Sequence, residues 1–141
     1  MEFLLIIVVI AIGFIIVRAI RVNGESNRKA LIETSPDYQS KMRTIRDLIN
    51  FEDEHISITE LTYEYRERLK GSKDLTVRKG LMQDIEKAGK ERNDLAEKFH
   101  KKYENDPYNP MKIPLNEFPD EMLQQFEGLQ ERRNKATSTR L

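Results

Sequence analysis

LMQDIEKAGKERNDLAEKFHKK, residues 81–102, is the stretch that decides the fold. Leu81, Ile85, Ala88, Arg92, Leu95, Phe99 and Lys102 recur there at steps of four and three. That alternation is the a/d seam of a heptad repeat, with polar lapses at Arg92 and Lys102. The spacing predicts a helix from Lys73 or Asp74 to Tyr103 or Glu104. Gly80 and Gly89 are its weak points, each costing about 1 kcal/mol relative to Ala.

Upstream, Ser35-Pro36-Asp37 signals a helix start. Ser caps, Pro fits the first helical position, and Asp suits the positive end of the helix dipole. Tyr38, Met42, Ile45, Leu48, Ile49 and Phe51 follow at helical spacing, then Ile58, Leu61, Tyr65 and Leu69, with Gly71-Ser72 as a stop. Ser57-Ile58-Thr59-Glu60 also matches a capping box, so one helix, or two breaking near His55, both fit. The short turn at Gly71-Ser72-Lys73 makes the two runs antiparallel, giving a helical hairpin over residues 36–104. Pairing residue i with residue 143 − i sets Leu48 on Leu95 and brings Glu52, Asp53 and Glu54 to Lys87, Lys90 and Arg92. In that register, apolar seam and opposite charges align together.

Downstream the pattern changes. Asp106-Pro107, Asn109-Pro110 and Ile113-Pro114 exclude regular helix, so residues 105–118 are expected to be extended and laid on the hairpin base. Pro119-Asp120-Glu121 opens a short amphipathic helix, 119–134, with Met122, Leu123, Phe126 and Leu129 on one face. Residues 135–141 are expected to be a disordered basic tail.

The N-terminus is of another kind. Residues 3–17 are all apolar or Gly, and Ala19 and Ile20 extend the run past Arg18. As a helix, 3–20 spans roughly 27 Å, the thickness of a bilayer's hydrocarbon core. Met1-Glu2 is acidic and no small-x-small site follows, which does not fit a cleaved signal peptide. Residues 1–21 are expected to be a single-pass anchor and 22–35 a linker loosened by Asn23-Gly24. Arg18, Arg21, Arg28 and Lys29 follow the run against Glu25 alone, which places the N-terminus outside and the remainder on the cytoplasmic face of a cell membrane. The expected fold is therefore all-α: a transmembrane helix, a coiled-coil-like hairpin or small three-helix bundle, a Pro-rich segment and a short C-terminal helix. An N-terminal anchor followed by a coiled coil is similar in plan to phage inner-membrane spanins and to small membrane-tethered phage replication proteins; no residue motif carries that likeness.

Composition narrows function. The 141 residues hold no cysteine, which excludes disulfides and thiolate chemistry. Net charge is zero with 34% charged residues, which argues against broad nucleic-acid binding. No phosphate-binding glycine motif, nucleophile elbow or His-Glu-x-x-His occurs, so no enzyme activity, cofactor, metal or small-molecule substrate is expected. The two histidines, His55 and His100, lie at different heights of the hairpin, and acidic neighbours are expected to raise the proton affinity of His55.

What remains is a membrane-tethered scaffold or adaptor that binds a protein partner or itself. The alternatives are a tether for nucleic acid and an envelope-bridging, spanin-like protein of inverted topology. Candidate partner-binding residues are Tyr108, Ile113, Leu115 and Phe118, an apolar set on a non-helical segment, though packing on the hairpin base is the plainer use. Candidate contacts to an anionic surface are Arg66, Arg68, Lys70, Lys73, Arg78 and Lys79 at the tip, with Arg132 and Arg133 near the C-terminus. A solvated turn is the plainer reading of the tip.

Overall fold

The computed structural model describes residues 2–138, with side-chain surroundings described at residue 12 and from residue 14 onward. Within that range the protein is all-helical: α1 (Glu2–Glu33), α2 (Pro36–Gly71), α3 (Leu75–Tyr103), two 3₁₀ turns (Pro110–Lys112 and Leu115–Glu117) and α4 (Asp120–Ser138). The chain forms two compact units, residues 1–40 and 41–141.

In the first unit, α1 runs unbroken through Asn23-Gly24, where a linker over 22–35 was expected. One glycine costs only about 1 kcal/mol, too little to end a helix that continues into Arg28-Lys29-Ala30-Leu31. The break comes at Thr34-Ser35, ahead of Pro36. Ser35 then caps α2, its Oγ accepting from Tyr38 N at 3.2 Å. Among the described residues no helix is long and apolar enough to cross a membrane. Most of the apolar run, residues 3–11 and 13, lies outside the residues whose side chains are described.

The second unit is a three-helix bundle with α2 at its centre. Met42, Thr44, Ile45, Leu48, Ile49, Phe51, Glu52, Ile56 and Thr62 are buried on α2, against four residues on α3 and Leu129 alone on α4. So wide a buried face needs neighbours on two sides. α3 returns antiparallel on one side. α4 lies parallel on the other, since Glu117, just before it, meets Lys41 at 2.8 Å and Arg132 reaches Asp53 at 2.6 Å. Past Thr62 α2 buries nothing. Among the described residues α4 reaches Ser138, and the tip of the hairpin beyond it is formed by α2 and α3.

α2 does not break near His55. The hydroxyls of Ser57, Thr59 and Thr62 donate instead to the carbonyls of Asp53, His55 and Ile58, four residues back, at 2.8, 2.9 and 2.8 Å. Glu60, the far end of the expected capping box, binds Arg132 instead. Asp74 caps α3, accepting from Thr76 N at 2.8 Å and Val77 N at 3.2 Å.

The hairpin register differs from the expected one. The rings of Phe51 and Phe99 stack with centroids 4.2 Å apart, and Phe99 also packs on Tyr103 at 5.0 Å. The Tyr103 hydroxyl donates to Asp47, which Lys102 also reaches at 2.7 Å. Near the base, residue i therefore faces residue 150 − i, a slide of seven. Sliding a heptad seam by seven maps it onto itself, so the apolar pattern fits both registers equally. Exposed charges chose the other register in the sequence, and such pairs are worth only about 0–1 kcal/mol. The aromatic cluster decides, and Glu52 and Asp53 find partners on α4 instead of α3.

Candidate functional site

Four regions hold the candidate residues, and all lie in the second unit. The first is the Pro-rich crossing from α3 to α4. Asp106 Oδ1 accepts from Tyr108 N at 2.7 Å and Asn109 Oδ1 from Met111 N at 3.0 Å, so two side-chain-capped turns replace the expected extended segment. Pro110 is fully buried. Phe118 is buried and its ring meets Phe126 edge-on at 5.7 Å. Tyr108 and Ile113 are half-buried, while Leu115 is 50% exposed. Met111, 54% exposed, joins Leu115 as an outward apolar side chain, and the sequence reading passed it over. Nothing in the sequence marked it: Met111 is the middle residue of the Pro110–Lys112 turn, and that Pro110 faces inward and Met111 outward is seen only in the fold.

The tip is the second region. Arg78 turns back, donating to the carbonyls of Leu69 at 2.8 Å and Ser72 at 2.9 Å, and so caps the C-terminus of α2. Lys70 pairs with Glu67 at 2.7 Å. Arg66, Arg68, Lys73 and Lys79 are exposed and make no ion pair among the described residues.

The third region is a clasp between α4 and α2. Arg132 donates from Nη1 to Asp53 at 2.6 Å and from its Nη2 and Nε edge to the two oxygens of Glu60 at 2.8 and 3.3 Å. These carboxylates raise its pKa further. Arg133 pairs with the buried carboxylate of Glu52. Burial pushes the Glu52 carboxyl above its ordinary value, and the charge of Arg133 and its hydrogen bond pull against that shift without cancelling it. Arg132 and Arg133 were expected at the end of the 119–134 helix, facing an anionic surface, and residues 135–141 in a disordered tail. Instead α4 runs on to Ser138 and both arginines are turned inward, because α2 offers an acidic stripe one helix away. Residues 139–141 of the expected tail lie outside the described residues.

The fourth region is the surroundings of His55. Its ring lies 5.6 Å from Phe51. Its pKa is lowered, first by burial and then by the charges of Arg133 and Arg92. The expected upward push from Glu52, Asp53 and Glu54 gives way to burial, and with Glu52 and Asp53 paired to the α4 arginines, Arg133 and Arg92 add positive charge at the ring. His100 is exposed on α3. Among the described residues no group of three or more His, Asp or Glu side chains is placed to hold a metal ion.

No protein-family model, curated protein or solved structure matches the chain.

Proposed function

We propose that the protein is a membrane-tethered helical scaffold whose bundle engages a protein partner at the cytoplasmic face. The observation that carries this reading is the surface of α1. Phe14, Ile15, Val17 and Ile20 are between 64% and 74% exposed, and they continue an apolar sequence that begins at Phe3. Contiguous apolar surface of that kind needs a cover, and a bilayer matches the length of the run. The basic residues Arg18, Arg21, Arg28 and Lys29 follow it, which favours the bundle on the cytoplasmic side. Met111 and Leu115 supply the outward apolar pair that a partner would cover. Tethering nucleic acid is the weaker reading, since net charge is zero and two of the candidate arginines are paired within the bundle.

Two readouts on the full-length chain test it. The chain has no cysteine, so a single Ser138→Cys should react with a membrane-impermeant maleimide only after cells are lysed. A photo-crosslinking residue at Leu115 should give one discrete protein adduct, and the same residue at Gln83 on the exposed face of α3 should not. A membrane-bound chain that gives no adduct at Leu115, or equal adducts at both positions, refutes the scaffold role. Labelling of intact cells refutes the orientation.

A further inference from the structure

A cleft of about 250 Å³ opens where the C-terminal part of α4 meets α2 and α3. His55, Ile56 and Thr59 line it from α2, Arg92 from α3, and Arg133, Ala136 and Thr137 from α4. Sites for drug-sized ligands run from roughly 300 to 1,000 Å³, so an occupant of this cleft is small. No carboxylate lines it among the described residues.

One positive charge in the cleft lacks a partner. Arg133 is neutralised by Glu52. Arg92 makes no ion pair among the described residues. It stands at a seam position of α3, where Leu or Ile would close the bundle, and it is half-buried. A half-buried guanidinium without a counter-charge is a cost that an apolar residue would avoid. Its charge is felt at the His55 ring, where burial, Arg133 and Arg92 all disfavour protonation. His55 is therefore mainly neutral at pH 7, and the surplus in the cleft is the single charge of Arg92.

The donors and that surplus define the ligand. Thr59 and Thr137 give their hydroxyl protons to backbone carbonyls four residues back, at 2.9 and 3.0 Å. The Arg92 guanidinium is left as the charged donor without a partner, and its planar fork matches the two oxygens of one carboxylate. A carboxylate also carries one negative charge, which balances Arg92; a phosphomonoester near its dianionic state would exceed it. Ile56 and Ala136 supply an apolar wall in the same cleft.

We infer that this cleft binds a small monocarboxylate, its two oxygens on the Arg92 fork and its apolar body against Ile56 and Ala136. The site lies wholly within the bundle and stands whether or not α1 enters a bilayer.

Titration calorimetry and NMR on the full-length chain in neutral detergent test it, with benzoate and 4-methylpentanoate as probes. Benzamide, the same ring without the charge, and inorganic phosphate are the controls. At pH 7 benzoate should bind saturably and move the His55 ring resonances along the same curve, while those of His100, exposed on α3, stay in place. Arg92→Leu should weaken benzoate binding by about ten- to a hundredfold, the loss of a charge-assisted fork. The same change should leave the fold at least as stable, because Leu suits the seam. Arg92→Lys keeps the charge without the fork and should retain only part of the binding. Ala136→Leu, at a half-exposed position of α4, should fill the cleft and block benzoate with Arg92 intact. No response to either carboxylate overturns the inference, as does benzamide or phosphate binding as tightly as benzoate. Benzoate binding left unchanged by either Arg92→Leu or Ala136→Leu overturns it too.

Discussion

The Phe51–Phe99 stack is the contact that fixes the hairpin register, and it can be weighed directly. Both rings are buried, 9% and 8% exposed, with centroids 4.2 Å apart and planes inclined by 13°. Truncating a buried Phe to Ala costs about 3–5 kcal/mol, from lost transfer energy and the cavity left behind. For a unit near a hundred residues each kcal/mol is about 4–8 °C in melting temperature, so Phe99→Ala should lower it by about 12–40 °C. The sharper quantity is the coupling. Rings in contact share about 0.5–1.5 kcal/mol beyond their separate burial, and the two truncations open one cavity rather than two. The loss in Phe51→Ala/Phe99→Ala should therefore fall short of the sum of the single losses by about 1 kcal/mol. Circular dichroism melts of the full-length chain and its three variants, in neutral detergent, supply the cycle. In the register that pairs i with 143 − i, Phe51 would face Arg92 instead, and the two truncations would act independently. Additivity within about 0.3 kcal/mol would refute the stack and the register built on it.

Other outcomes follow from single contacts. Burial opposes ionisation of Asp47, yet hydrogen bonds from Lys102 and Tyr103 outweigh it and lower its pKa from 3.8; this contribution to stability is present above 3.8 and is lost as pH falls through the lowered value. Glu52 has the opposite sign: its pKa is raised from 4.5, so its contribution is greatest below 4.5 and is lost as pH rises through the raised value. In denaturant midpoints measured from pH 2 to 7, Asp47→Asn should flatten the curve below 3.8 and Glu52→Gln should flatten it above 4.5. Gly80→Ala and Gly89→Ala should each stabilise by about 0.5–1 kcal/mol, because both lie within α3 and an added Cβ meets nothing within 4 Å; the readout is a rise in melting temperature. Arg132→Ala removes the pairs to Asp53 and Glu60, each worth about 1 kcal/mol or less, so hydrogen exchange should quicken over α4 while the aromatic cluster at the hairpin base keeps its protection.

How far the sequence could be read depended on whether a single local rule governed the segment. The seam from Leu81 to Phe99, the Ser35 cap and the Asp74 start follow from spacing and capping chemistry, and the structure holds all three. The helix beginning after Pro119 was legible in the same way, but not its extent. Its C-terminal half is held on α2 by Arg132 and Arg133, contacts between residues more than seventy apart. Residues 57–60 carry a valid capping box that stays unused, because continuous packing of α2 against two neighbours outweighs a local start signal. Asn23-Gly24 misleads in the same direction, as a propensity too weak to interrupt α1. At the candidate sites, the residue types were readable and their partners were not. Arg132 and Arg133 are basic in sequence and paired with α2 carboxylates in the fold. His55 sits among acids in sequence and between arginines in the fold. Phe118 belongs to the bundle through Phe126, whereas Met111 and Leu115 remain outside.

Alkaline carbonate extraction of cells making the full-length chain tests the tether most directly. The account predicts that the protein stays in the membrane pellet at high pH and is released only by detergent, and that Ile10→Lys with Phe14→Lys moves it to the supernatant as a folded bundle. Recovery of the unaltered chain in the carbonate supernatant would contradict it.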